Sequence, residues 1–465
     1  MLFSSLTFLT LFLPLFLAIY YLVPARSVRM KNIALLVFSL FFYAIGEPVW
    51  VLLLVFSGFW DYIIGLFMVR CKQKRHAKAL LVLSLCGNIG LLCIFKYASP
   101  LLGFFGAETT FAASLPIGIS FYTFQAMSYM VDLYKGHIKS HRDPVRFMAY
   151  ISMFPQVGAG PIVRYVDISD RFTQRRTTLA GFSEGVTRFA SGLGKKIIFA
   201  SHAGKIAALL LHVSPDAMTT AGIWLGAVMY AFQIYFDFSG YSDMAIGLAK
   251  MIGFDFKENF DYPYTAKSIT DFWRRWHISL STWFRDYIYL PLSSSLVKRK
   301  WKMGPIYLLA SLAVWLLTGL WHGASVNFVL WGIYYCIILV AERFFLRKVL
   351  DKIPVFFARL YSLFIILIGW LIFYYTDLSA LSSAGAALFG LAGPLTNHNT
   401  NSLFLANLWI LPVLALFCTK IPSSLFGRLK NHIPALEPVF NAALLCASFA
   451  LMVGQSFNPF LYFRF

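Results

Sequence analysis

Residues 306–340 read IYLLASLAVWLLTGLWHGASVNFVLWGIYYCIILV, two strongly apolar runs separated by the short polar stretch His322-Gly323-Ala324-Ser325. Each run is long enough, or nearly so, to cross a hydrocarbon core of roughly 30 Å as a helix. A soluble protein has no use for such a pair. Similar runs recur along the chain, as at 79–95, and only 13% of the residues are charged while 59% are hydrophobic. The usual charged share is about 25%. The expectation is an all-α polytopic membrane protein with about eleven spanning helices, plus re-entrant and interfacial helices, organised as a single domain over 1–465.

Residues 1–23 lack a basic leader region and a small-residue cleavage site, so they read as a retained first span. The run 33–46 is short for a span, so it either tilts little or extends back across the basic residues before it. Residues 148–163 carry Pro155, Gly158, Gly160 and Pro161, a density of helix breakers that marks a re-entrant segment. Residues 250–302 are the least apolar part and read as short helices at the cytoplasmic interface.

The formal charge of +20 would suggest nucleic-acid binding in a soluble protein. Here the basic residues cluster in short connections: Arg26, Arg29 and Lys31, then Arg70 to Lys78, then Lys135, Lys139, Arg142 and Arg146. Nearly uncharged connections, at 46–48 and 99–113, lie between them. That alternation places the basic loops in the cytoplasm and the N-terminus outside, and carrying it onward leaves Phe465 outside. No nucleic-acid partner is implied. Six cysteines without metal or redox spacing imply neither a disulfide framework nor a metal site.

Polar groups inside apolar segments are costly, so they mark candidate chemistry. His322 is the first, with Thr318 four residues earlier on the same helix face and Trp315, Trp321 and Trp331 around it. A neutral imidazole there can take a proton from an alcohol; a histidine satisfied by a carbonyl at a helix turn is the equal alternative. The second place holds Asp237, Ser239, Tyr241 and Asp243, which line a substrate path or simply tie helices together. His277 lies in a Trp/Arg-rich segment where Arg274, Arg275 and Arg285 suit either lipid phosphate or a nucleotide-like cofactor.

Five motifs together resemble the membrane-bound O-acyltransferase family, in particular its alginate O-acetylation branch. They are LPIGISFY at 115–122, GPIVR at 160–164, FDFSGYSD at 236–243, DFWRRWHISLS at 271–281 and GLWHG at 319–323. The resemblance extends from the first helix to about Glu342, with the motif-bearing core at 115–345. It implies acyl transfer around a central tunnel, from a cytoplasmic thioester to an acceptor on the other side of the bacterial inner membrane. His322 would be the catalytic histidine and His277 the second functional one; Arg274 and Arg275, by their phosphate-matching guanidinium groups, and Trp276 and Trp321, as shapers of the tunnel, are the candidates for donor contact. The implied donor is acetyl-CoA, with no permanently bound cofactor. The implied partners are a periplasmic acetyltransferase or acceptor protein, a polysaccharide (alginate-like exopolysaccharide, peptidoglycan or cellulose) and membrane lipid.

One departure stands out. After DYIYLPL at 286–292 the chain has SSSLVKRK at 293–300, where the alginate-type pattern carries Gly-Gly-Asn-Arg, and this is closer to the teichoic-acid D-alanylation branch. D-alanyl transfer from a carrier-protein thioester is therefore the second reading. A transporter with an intramembrane histidine is a third, opposed by the lack of inverted repeats. A direct base and an acyl-histidine intermediate both remain as routes.

Overall fold

The computed structural model describes residues 1–104, 115–139, 142–158 and 160–453; the expected uncharged loop at 99–113 and the C-terminal Phe465 lie largely or wholly outside them. All regular structure among the described residues is helical. Among the described residues seven helices are long and apolar enough to span a bilayer, or eight if the bent pair His398–Asn407 and Ile410–Phe417 forms one span. The chain is thus a multi-pass membrane protein, and the expected count of about eleven spans is not confirmed by length and composition among the described residues. Hydropathy counts apolar residues and is blind to breaks. The pair at 398–417 bends by 60°, and the Phe8–Leu22 and Leu378–Leu388 helices are apolar but short.

The chain divides into two compact units. The first comprises Met1–Leu193 and Tyr241–Lys257. Its Val28–Gly46 helix does extend back past Arg29 and Lys31, which brings a short apolar run to spanning length. Phe3, Phe8, Phe12, Phe16, Phe42 and Phe154 form a continuous ring cluster, with neighbouring centroids 5.0–6.4 Å apart. The 148–163 stretch is broken as its prolines and glycines demand: a helix ends at Ser152, a single turn follows at Phe154–Val157, and the segment is buried in protein. Arg29 and Arg146, from separate basic clusters, both approach Asp143, at 3.9 and 3.6 Å. Those two clusters therefore share one end of the unit, as the charge alternation requires.

Gly118 begins the buried Ile119–Lys135 helix in the left-handed region, at φ 77°, where a Cβ would collide with the Val157 carbonyl. Only glycine fits there. The Gly185 and Gly247 backbones meet so closely that a Cβ on either would reach the other's carbonyl. Small residues at such crossings let helices pack without a hydrophobic drive between them.

The second unit comprises Gly194–Gly240 and Glu258–Phe465. At its centre the Met303–His322 and Val326–Ala341 helices form an antiparallel hairpin. Gly319 faces the Phe328 carbonyl and Gly332 faces the Trp315 carbonyl, each too near for a side chain. One side of the first helix exposes Leu308, Leu309, Leu317 and Leu320, while Trp315, Thr318 and His322 are buried. Leucine faces lipid at no cost, and the polar groups turn into protein. Asn327 donates to the carbonyls of Ile372 and Phe373, at 3.1 and 3.2 Å, and so ties the hairpin to the end of the Val355–Tyr374 helix. The 258–300 stretch folds into the short helices expected of it, Ile269–Arg275, Ile278–Phe284 and Leu290–Lys298.

Candidate active site

Within the second unit a cavity of about 300 Å³ is lined by both His277 and His322. Thr318, one helical turn before His322, lines it too, as the four-residue spacing predicts. The wall is rich in aromatic rings, among them Trp273, Trp276, Trp315, Trp331, Trp370 and Phe373. Arg274 and Arg285 belong to the lining and are exposed, so the cavity is not sealed from the surroundings. A largely apolar pocket with a few convergent polar groups is the usual form of a site for an organic substrate.

His322 is 5% exposed, and its ring packs edge-on against Trp321, Trp331 and Phe373 at centroid distances of 4.9, 5.2 and 5.0 Å. Those contacts fix the ring plane, which is what alignment with a reacting hydroxyl requires. His277 sits at φ 44°, a left-handed conformation uncommon outside glycine. Asn259 holds it there. The Asn259 carbonyl accepts from Ile278 N, and its side-chain oxygen accepts from Ser279 N at 3.1 Å and Ser279 Oγ at 2.8 Å. Burial pushes the His277 imidazole down to about 3, so the ring is neutral at physiological pH.

The helix that carries Trp273 and Arg274 is held by a carboxylate from elsewhere in the unit. Glu342 is 3% exposed and accepts from Ile269 N at 2.7 Å, Thr270 N at 2.8 Å, Thr270 Oγ1 at 2.6 Å and Tyr361 Oη at 3.2 Å. Ser268 and Asp271 complete the helix start, Ser268 Oγ accepting from Asp271 N at 3.0 Å. Glu342→Ala would strip two amide donors of their acceptor, at about 1–3 kcal/mol each. We expect a lower unfolding midpoint for the purified variant, and Glu342→Gln, which keeps an acceptor oxygen, to fall in between.

Not every expected site residue reaches the cavity. Trp276 and Arg274 line it, but Arg275 turns to Asp271 at 2.8 Å and Asp261 at 3.6 Å. Adjacent helix positions point about 100° apart, so two neighbouring arginines do not share a target. Trp321 packs behind the histidines, 4.9 Å from His322 and 6.5 Å from His277, rather than in the lining. Asp237, Ser239, Tyr241 and Asp243 all lie on the Thr220–Met251 helix and are buried, and none lines the cavity. Asp237 is bonded to Lys196, and Asp243 to Arg188 at 2.7 Å. Tyr241 stacks on Phe3 at 4.7 Å. Asn259 was legible only as one residue of a polar stretch. Glu342 carried the better signal, a lone carboxylate ending an apolar run.

Comparison with known proteins adds the decisive fact, for residues 3–384 match the membrane-bound O-acyltransferase family. The chain belongs to that family. It is therefore an O-acyltransferase, and its relatives span several acceptors. The probable alginate O-acetylase AlgI of Pseudomonas putida is 37% identical over the whole of both chains. The peptidoglycan O-acetyltransferase of Helicobacter pylori is 28% identical over all of this chain and 98% of its own. The teichoic acid D-alanyltransferase of Bacillus subtilis is 29% identical over 49% of this chain and 59% of its own. The similarity to both O-acetylation proteins continues beyond Glu342, where motifs alone gave only a pattern of spans.

Proposed function

We propose that this acyltransferase moves acetyl groups from cytoplasmic acetyl-CoA across the bacterial inner membrane for O-acetylation of an extracytoplasmic polysaccharide. The observation that carries the reading is one aromatic cavity lined by two histidines and two exposed arginines. Full-length similarity to an alginate O-acetylase and a peptidoglycan O-acetyltransferase supports the polysaccharide class. Arg274 and Arg285 suit the phosphates of CoA, since guanidinium groups match phosphate oxygens. The basic clusters favour an N-terminus outside, with CoA reaching the cavity from the basic side.

In the transfer step, an acceptor hydroxyl oxygen attacks the thioester carbonyl carbon and the C–S bond breaks. His322 takes the hydroxyl proton and returns it to the leaving thiolate, so acetyl-CoA and alcohol become acetyl ester and CoA thiol. The aromatic wall limits water, which would otherwise compete for the thioester. The acceptor in this step is a hydroxyl of a periplasmic acetyltransferase or of the polymer itself.

The test is purified protein in proteoliposomes, supplied with labelled acetyl-CoA or with a D-alanyl carrier protein. Release of CoA thiol with ester formation from acetyl-CoA is expected. Turnover with the carrier-protein thioester alone would replace this reading by D-alanyl transfer, for which the SSSLVKRK departure and the Bacillus subtilis relative speak.

A further inference from the structure

The hydrogen bonds around Asn259 decide which nitrogen of His277 carries its proton. Asn259 is wholly buried, and one of its side-chain atoms lies 3.1 Å from Ser279 N, 2.8 Å from Ser279 Oγ and 3.2 Å from His277 Nδ1. A backbone N–H can only donate, so the atom facing Ser279 N is the amide oxygen and not the nitrogen. An oxygen there can only accept. His277 Nδ1 lies 3.2 Å from that oxygen and 3.4 Å from Ser279 Oγ, whose own hydrogen goes to the nearer Asn259 oxygen, so in this trio Nδ1 bears the hydrogen. The neutral ring keeps its lone pair on Nε2, the nitrogen turned away from Asn259.

We propose that Asn259 is a positioning residue that locks His277 in the Nδ1-protonated tautomer, so that the Nε2 of His277 is an acceptor and never a donor. This rests on the reading that the cavity is the acyl-transfer site. The same asparagine fixes the ring's position as well as its proton: its backbone carbonyl takes Ile278 N at 2.9 Å, and its side chain takes Ser279 N. Both bonds anchor the two residues that follow left-handed His277, whose conformation would otherwise relax. A histidine so held can accept from an amide N–H of a pantetheine arm or from an attacking hydroxyl. It has no hydrogen on the Nε2 side to give to a thioester carbonyl. The oxyanion must then be met by other donors.

The choice of variants follows from the geometry. Asn259→Asp keeps an acceptor oxygen for both Nδ1–H and Ser279 N, so the local fold is preserved, but it sets a carboxylate against the ring and favours the imidazolium. Asn259→Leu is close in shape and removes the acceptor. We expect Asn259→Asp to lose kcat on the acid side at a pH at least one unit above the wild-type limb, and Asn259→Leu to lower kcat by about 10–100-fold, the usual cost of removing a group that orients a functional histidine. The change in KM for acetyl-CoA should be smaller than the change in kcat for both.

Solid-state ¹⁵N spectra of histidine-labelled protein in lipid, with the His277→Ala variant identifying the signal, read the tautomer without turnover. A protonated Nδ1 and an unprotonated Nε2 are expected in the wild type, and a mixed pattern in Asn259→Leu. An Nε2-protonated ring in the wild type would overturn the proposal, as would an Asn259→Asp profile superimposed on the wild type. Full activity of His277→Ala would instead count against the role of His277 in transfer and leave the tautomer to be judged by the spectra alone.

Discussion

His322→Ala is expected to lower acyl transfer by about 10²–10⁴-fold, the contribution of a positioned base, while the protein still inserts and purifies. The ring is 5% exposed and held by three aromatic edges, so its removal leaves a hole as well as a missing base. The two effects separate with His322→Gln, nearer in volume and without a basic nitrogen. If the base is what matters, both variants lose kcat alike, whereas only His322→Ala shows a depressed unfolding midpoint. CoA thiol release by protein in proteoliposomes measures the first, and a melting curve in detergent the second. Wild-type release from His322→Gln at equal protein level would remove His322 from the chemistry.

Lys196→Met carries the largest expected effect on stability. Lys196, from the Lys195–Ala200 turn, and Asp237, from the Thr220–Met251 helix, are both buried, at 3% and 5% exposure, and are directly bonded within the second unit. Removing one member of a buried pair leaves the other charge in a medium that solvates it poorly, at about 3–5 kcal/mol. Lys196→Met combined with Asp237→Asn removes both charges and is expected to recover most of that loss. Thermal unfolding of the two single variants and the double variant forms the cycle. Additive losses would show that the pair is not coupled. The same cycle bears on the helix reading of Asp237: recovery of stability with full activity would make it a structural charge, whereas stable but inactive double-variant protein would restore it to a substrate path.

The membrane class was legible from composition and apolar length, because a bilayer leaves few ways to satisfy a backbone. The exact number of spans is less legible, since breaks such as the 60° bend at 398–417 depend on packing and leave little mark on hydropathy. His322 and Thr318 shared a face because helical spacing is rigid. The family resemblance named both His277 and His322 as functional, but their meeting in one cavity was not legible, since 45 residues and several turns separate them and no local rule joins them. Arg275 and Trp321 were placed with the donor by sequence neighbourhood. Helix geometry instead turned Arg275 to Asp271 and Asp261, and packed Trp321 behind the histidine rings. Asn259 and Glu342 went unseen as clamps because each holds a distant segment through backbone amides, 20 residues away for Asn259 and 73 for Glu342, which any sequence would supply.

The most direct test is a structure of the protein in lipid with a thioether analogue of acetyl-CoA, which cannot transfer its acyl group. The analogue's carbonyl is expected inside the cavity between His277 and His322, within hydrogen-bonding reach of the His322 ring, with its phosphates beside Arg274 or Arg285. An analogue that inhibits turnover yet lies outside that cavity, with both histidines untouched, would contradict the account.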